Sequence, residues 1–303
     1  MAAFDGLFPV MPTPFRGGRI DCEGAERLSA WVAPHVAGMT VLGSSGESGY
    51  LSPGDRREAL SAFATAAAHH RLQLIVGVTD AATSGAVDFV RSDEAASAAA
   101  FLVLPPTYYP ATLDATERHL GAIAEAASGR PIVLYDIPGL SGLSLSPADV
   151  RHLISRVPAI QGVKLSRLAL DGIGDLAADP SLSLFAGYDE IAHEQVVEGC
   201  RGVMAPFVPL CPEPSRRWYD ALVGEDRPAA FRIFIEEISP LIRAMVGADV
   251  DFIAVVKYFL YRMELIASAE VAPGVPGLSE ARNRHAVEHY DYMVARQTAA
   301  APR

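Results

Sequence analysis

The chain has 303 residues, is half hydrophobic and carries a net charge of -11 at neutral pH. That balance supports a large core and argues against nucleic acid or an anionic membrane surface as partners. Three cysteines, Cys22, Cys200 and Cys211, are odd in number and unpatterned, which argues against a disulfide or zinc framework and fits a reducing compartment.

No basic residue precedes Asp5, and Pro9, Pro12 and Pro14 interrupt the first apolar stretch, so neither a signal peptide nor an anchor is expected. No other apolar run approaches the ~18 residues of a membrane span. The expectation is a soluble, cytoplasmic protein.

Short apolar runs recur along the chain at 6–11, 38–42, 72–78, 100–104, 131–135, 160–165, 182–185 and 202–207. Each is too short for a helix and is continuously hydrophobic, as a strand covered on both faces must be. Helical starts lie between them. Ser52-Pro53 and Ser146-Pro147 place a capping hydroxyl before a proline at the first helical position. Asp55 and Asp149 follow three residues after the caps, favourable at the positive end of a helix dipole. Leu60, Phe63, Ala64 and Ala67 then keep helical spacing, as do Val150, Leu153, Ile154 and Val157.

This alternation predicts an α/β fold with a parallel sheet, closed as a (β/α)8 barrel. An open doubly wound sheet would want a Gly-x-Gly-x-x-Gly turn, which is missing, and Gly43-Ser-Ser-Gly46 is too short for a phosphate loop. Beyond 207 the pattern turns helical near 212–223, 228–247, 251–268 and 279–297. Residues 1–224 are therefore expected to form the barrel and 225–303 a C-terminal helical extension packed on it.

Of the 25 Lys and Arg residues only Lys164 and Lys257 are lysines. Guanidinium stays protonated and cannot serve as a nucleophilic amine, so a sequence this rich in arginine keeps lysine where chemistry needs –NH2. Lys164 closes the apolar run 160–165, at the end of a buried strand, where an imine-forming amine belongs; a leftover ion-paired lysine is the bland alternative. Lys257 lies among Val256, Phe259 and Leu260 and reads as structural or snorkelling.

Barrel active sites lie at the C-terminal strand ends. The polar residues there are Ser44 and Ser45, Tyr108 and Tyr109, Tyr135, Lys164, and Asp189 with Glu190. The histidines are scattered, and His193-Glu194 lacks the second histidine of a zinc helix, so no metal is expected. An amine among hydroxyls suits covalent catalysis on a ketone, since an imine is an electron sink for making or breaking a C–C bond at the adjacent carbon. At an ordinary pKa of about 10.4 only ~1 amine in 2,500 is neutral at pH 7, and an apolar strand end raises that fraction. A nearby tyrosine can carry the protons; any one tyrosine can also be a half-buried core residue.

Gly43-Ser-Ser-Gly-Glu-Ser48, Tyr135-Asp-Ile-Pro138 and Gly162-Val-Lys164 resemble the three signatures of the dihydrodipicolinate synthase / N-acetylneuraminate lyase family, class I pyruvate-dependent aldolases on (β/α)8 barrels. The resemblance runs from Gly6 to about Leu278. It implies that Lys164 forms a Schiff base with C2 of pyruvate or another 2-oxo acid and that Tyr135 is the general acid/base. By the same resemblance Ser44 and Ser45 hold the carboxylate, and Ser45 passes protons between Tyr135 and Tyr108. Tyr108, or Tyr109 if the match slips by one, enters a neighbouring subunit's site in many members, which implies at least a dimer and commonly a tetramer. No cofactor is implied.

Within the family the synthase branch carries an arginine at the position of Leu140, a clamp for the aldehyde substrate's carboxylate. Its loss argues against dihydrodipicolinate synthase itself. Pro138-x-Leu-Ser-Gly142, Tyr108-Tyr-Pro110 and Gly187-Tyr-Asp-Glu190 resemble sialic acid lyases, in which the residues matching Gly187, Asp189 and Glu190 bind sugar hydroxyls. Asp189 and Glu190 can equally serve only to open the next helix. Met204-Ala-Pro206 replaces the lyases' Gly-Ser pair, removing a hydroxyl and narrowing the pocket. The expectation is a lyase acting on a 2-keto-3-deoxy sugar acid, an N-acetylneuraminate-like acid or a 4-hydroxy-2-oxo acid. A dehydratase using the same imine, dihydrodipicolinate synthase despite Leu140, or a barrel that binds a 2-oxo acid without turnover are the alternatives.

Overall fold

The eight apolar runs become eight parallel strands in the computed structural model, which describes residues 4–245 and 252–278 together with Arg284, Val287, Glu288 and Tyr290. The strands are β1 (Gly6–Leu7), β2 (Gly38–Val41), β3 (Gln73–Val78), β4 (Ala100–Val103), β5 (Ile132–Asp136), β6 (Ile160–Leu165), β7 (Ser183–Ala186) and β8 (Gly202–Val203). Each pairs with its neighbour in chain order from β2 to β8, and β8 pairs with β1. The Val10–Thr40 bridge joins the first strand's continuation to β2 and closes the ring. The fold is a (β/α)8 barrel.

Two apolar layers explain why the strand sequences are hydrophobic without alternation. Phe8, Ile75, Leu102, Val133, Phe185 and Met204 fill the inside of the ring, and a larger layer lies between strands and helices. The helices are α1 (Cys22–Val32), α2 (Pro53–His70), α3 (Thr83–Val90), α4 (Leu113–Ala126), α5 (Pro147–Arg156), α6 (Ile173–Ala177), α7 (Ala192–Val197) and α8 (Pro212–Val223). Both expected caps form. Ser52 Oγ accepts from Asp55 N at 3.1 Å, and Ser146 and Asp149 make a reciprocal capping box.

A hairpin, Phe15–Arg16 with Arg19–Ile20, turns through Gly17 and Gly18 at φ 59° and 74°, a conformation that favours glycine at both positions. Beyond α8 the chain forms helices Arg227–Ile233 and Ser239–Met245, joined by a π-helical turn Phe234–Ile238. Pro240 supplies the cause, since it has no N–H to donate and its ring crowds the preceding turn.

Helix Phe252–Arg262 follows. The expected continuation to 268 does not occur. Glu264 takes a left-handed conformation (φ 60°), and the following chain is held instead by α1 and the residue that caps it, Asp21. Ala267 N donates to Asp21 Oδ2 at 3.3 Å, and Arg27 Nε donates to the Leu265 carbonyl at 3.2 Å. The helix expected over 279–297 falls almost entirely outside the described residues. Among the described residues no helix is long and apolar enough to cross a membrane.

Candidate active site

Tyr135 and Lys164 are register partners on adjacent strands β5 and β6, so their side chains leave the sheet side by side. Val133 and Tyr135 point into the ring, and the two-residue period of β6 carries Lys164 the same way. Both are buried, at 3% exposure each, and Lys164 Nζ donates to Tyr135 Oη at 3.2 Å. The ammonium also lies 4.3 Å from the centre of the tyrosine ring. Ser44 Oγ, at the end of β2, is 3.4 Å from the same phenol oxygen. Burial alone would raise the Tyr135 pKa, but the charge of Lys164 and hydrogen bonds with Ser44, Lys164 and Ser166 outweigh it, leaving the phenol below its ordinary value.

These groups floor a cleft of about 620 Å³ at the C-terminal end of the barrel. Gly187 lines it, and a Cβ there would stand 2.6 Å from Ser166 Oγ and 2.8 Å from Lys164 Cε, so only glycine leaves the lysine its room. Ser166 Oγ donates to the Gly187 carbonyl at 2.8 Å. The buried Gln195 amide ties the ends of β6 and β7 together, accepting from Gly187 N at 3.2 Å and donating to the Leu165 carbonyl at 2.9 Å.

Half-buried Asp189 accepts from Phe207 N at 3.2 Å, and its pKa is pushed up to about 7. Burial is the main cause and Glu190 adds to it, while the Phe207 hydrogen bond and Lys164 oppose it. Buried Asp136 lies with its Oδ2 3.1 Å from Arg167 Nε. Burial outweighs that guanidinium and raises the Asp136 pKa to about 6.

The cleft gathers Ser44, Ser45, Tyr135, Leu140, Lys164, Gly187, Asp189 and Glu190. Two expectations are corrected. The hydroxyl against Tyr135 is Ser44's rather than Ser45's, because the loop turns Ser44 toward β5. Met204 does not line the cleft; it is fully buried in the layer that fills the barrel, with Phe8 and Phe185. Tyr108, expected to act in a neighbouring subunit's site, is not brought to Lys164 within one chain. It is 87% exposed at φ 84°, with its ring 4.9 Å from that of the exposed Tyr109.

Lys257 does not snorkel. It is fully buried, forms an ion pair with the equally buried Glu47, and donates to the Glu270 carbonyl at 2.8 Å. Glu47 sits at φ 63° within the serine loop, and its other oxygen accepts from Ala272 N at 2.6 Å. The loop carrying Ser44 and Ser45 is thereby pinned to the C-terminal segment. Glu47 was visible in the Gly43–Ser48 motif, but nothing local signals a partner more than 200 residues away. Ser166, Arg167 and Gln195 were missed as well, since each earns its place only through contacts across strand ends. Two of the histidines are not scattered: His69 and His70 on α2 share Glu26 Oε1 on α1, each at 2.8 Å, outside the cleft.

The site is thus a buried lysine–tyrosine pair at the C-terminal mouth of a (β/α)8 barrel. The chain belongs to the dihydrodipicolinate synthetase family, which it matches over residues 3–289. It is 31% identical over 274 residues to 4-hydroxy-tetrahydrodipicolinate synthase 1 of Streptomyces coelicolor, covering 90% of this chain and 88% of that protein. It is 32% identical over 299 residues to the 4-hydroxy-tetrahydrodipicolinate synthase of Ruegeria pomeroyi, covering 91% and 94%. The sialic acid aldolase of Ruminococcus gnavus superposes with a TM-score of 0.88 at 25% identity, covering 97% of this chain and 98% of that one.

Proposed function

We propose that the protein is a class I aldolase-type lyase in which Lys164 forms an imine with a 2-oxo acid, with pyruvate as product or donor. One observation carries the reading: the Lys164 amine and the Tyr135 phenol meet at 3.2 Å, both buried, on the floor of an open cleft.

In the cleavage direction the neutral amine adds to C2 of a 4-hydroxy-2-oxo acid and loses water to give the imine. Tyr135, with its lowered pKa, takes the proton of the 4-hydroxyl as the C3–C4 bond breaks. The bonding pair moves to C3 and on to the imine nitrogen, an aldehyde leaves, and the enamine is reprotonated at C3. Water then releases pyruvate and restores the lysine. We assign the substrate carboxylate to Ser44, Ser45 and the backbone of their loop, which line the cleft.

Leu140 lines the cleft where the resemblance puts the synthase branch's arginine clamp, which speaks against the activity that the sequence relatives are named for. The exposure of Tyr108 supports the reading in which it completes the site of a second copy. Free Cys22, Cys200 and Cys211 fit a reducing, cytoplasmic setting.

Borohydride reduction in the presence of pyruvate should leave a stable adduct on the peptide holding Lys164, and Lys164→Arg should leave none. Failure to trap any of several 2-oxo acids on the wild-type protein refutes the imine and favours a binding-only barrel. Pyruvate release, read through lactate dehydrogenase, separates lyase from dehydratase.

A further inference from the structure

We propose that the aldehyde half of the substrate is uncharged and apolar, an alkyl or aryl aldehyde condensing with pyruvate. The assignment rests on the imine reading above and names the second substrate of that same site. A cleft of about 620 Å³ is far larger than pyruvate needs, so most of it serves the other half. Polar groups cluster at the floor around Lys164. Above them the wall is formed by Ile137, Leu140, Leu168, Tyr188, Met245 and Phe252.

Leu140 and Leu168 stand 50% and 63% exposed at this mouth, on the loops after adjacent strands β5 and β6. A ligand that covers them removes apolar surface from water on both partners, and each ligand methylene so buried is worth roughly fourfold in affinity.

The charges present oppose an anionic tail. Among the described residues of the wall, Arg167 is the cationic side chain besides Lys164, and it is engaged. Its Nε lies 3.1 Å from Asp136, and Nη2 donates to the Asp171 carbonyl at 3.2 Å. Asp189 and Glu190, which also line the cleft, would repel a carboxylate or phosphate. A polyol could use those two carboxylates, but its remaining hydroxyls would face Leu140 and Leu168 and gain nothing from them. In the synthetic direction the pyruvate enamine attacks the aldehyde carbon through C3, the aldehyde oxygen takes one proton to become the 4-hydroxyl, and water frees the lysine.

The test uses the wild-type protein with pyruvate and four aldehydes, with product formation followed by mass spectrometry: benzaldehyde, butanal, glyceraldehyde and succinic semialdehyde. We expect kcat/KM for the first two to exceed that for the last two by about tenfold or more. Leu140→Arg should cut the benzaldehyde rate and raise that for succinic semialdehyde. Borohydride trapping of pyruvate on the same protein is the separate control. A trapped adduct with no product from the apolar aldehydes, or with glyceraldehyde or succinic semialdehyde preferred, overturns the apolar assignment alone. No adduct overturns the imine and this assignment together.

Discussion

Replacing Glu47 by glutamine tests how much the buried Glu47–Lys257 pair holds the serine loop in place. Both side chains are fully buried, so the variant leaves an ammonium with the Glu270 carbonyl at 2.8 Å and the Phe15 ring 4.3 Å from Nζ. Breaking a buried pair by removing one partner costs about 3–5 kcal/mol, and the two remaining contacts place this case near 3 kcal/mol. In a thermal melt at pH 7 that corresponds to a fall of roughly 5–12 °C.

The deficit should shrink with pH. Burial holds the Lys257 pKa down at about 8 even with Glu47 opposing, and losing Glu47 lowers it further. Between that value and the unfolded lysine's, the unfolded chain binds the extra proton, so the variant's stability rises from pH 7 to 9. The double variant Glu47→Gln/Lys257→Met should regain most of the loss, because its amide oxygen can still accept from Ala272 and no charge stays buried. An unchanged melting temperature for the single variant, or a double variant worse than the two singles summed, refutes the reasoning.

Tyr135→Phe should lower kcat by roughly 10²–10⁴-fold, as expected for loss of a general acid/base, while borohydride still traps an adduct on Lys164; full activity would remove Tyr135 from the chemistry. Asp189, raised to about 7, must be ionised to accept from a hydroxyl of a polyhydroxylated aldehyde, so kcat/KM for glyceraldehyde should climb with pH through about 7 and Asp189→Asn should flatten that limb. Asp136, raised from 3.8 to about 6, binds its proton more tightly folded than unfolded. Its contribution is full below pH 3.8 and is lost as pH rises to about 6. The loss is about 3 kcal/mol, and Asp136→Asn should remove that slope from urea titrations run between pH 4 and 6.5.

What the sequence carries by itself is what neighbouring residues settle among themselves. Strands covered on both faces must be apolar throughout, so the eight runs mark the barrel. The Ser-Pro caps bond within one helical turn, so they and the amphipathic helices behind them can be read directly. Lys164 stood out because an amine cannot be replaced by a guanidinium. Tertiary structure decided what depends on direction and on distant partners. The turn of one loop set Ser44 rather than Ser45 against Tyr135, and the packing of the ring took Met204 out of the cleft. Lys257 shows the same limit. Its helix spells an ordinary amphipathic segment, while the carboxylate that makes it a buried ion pair arrives from a strand end on the far side of the sequence. A charge can be held away from water only by the group it meets, and the fold alone brings the two together.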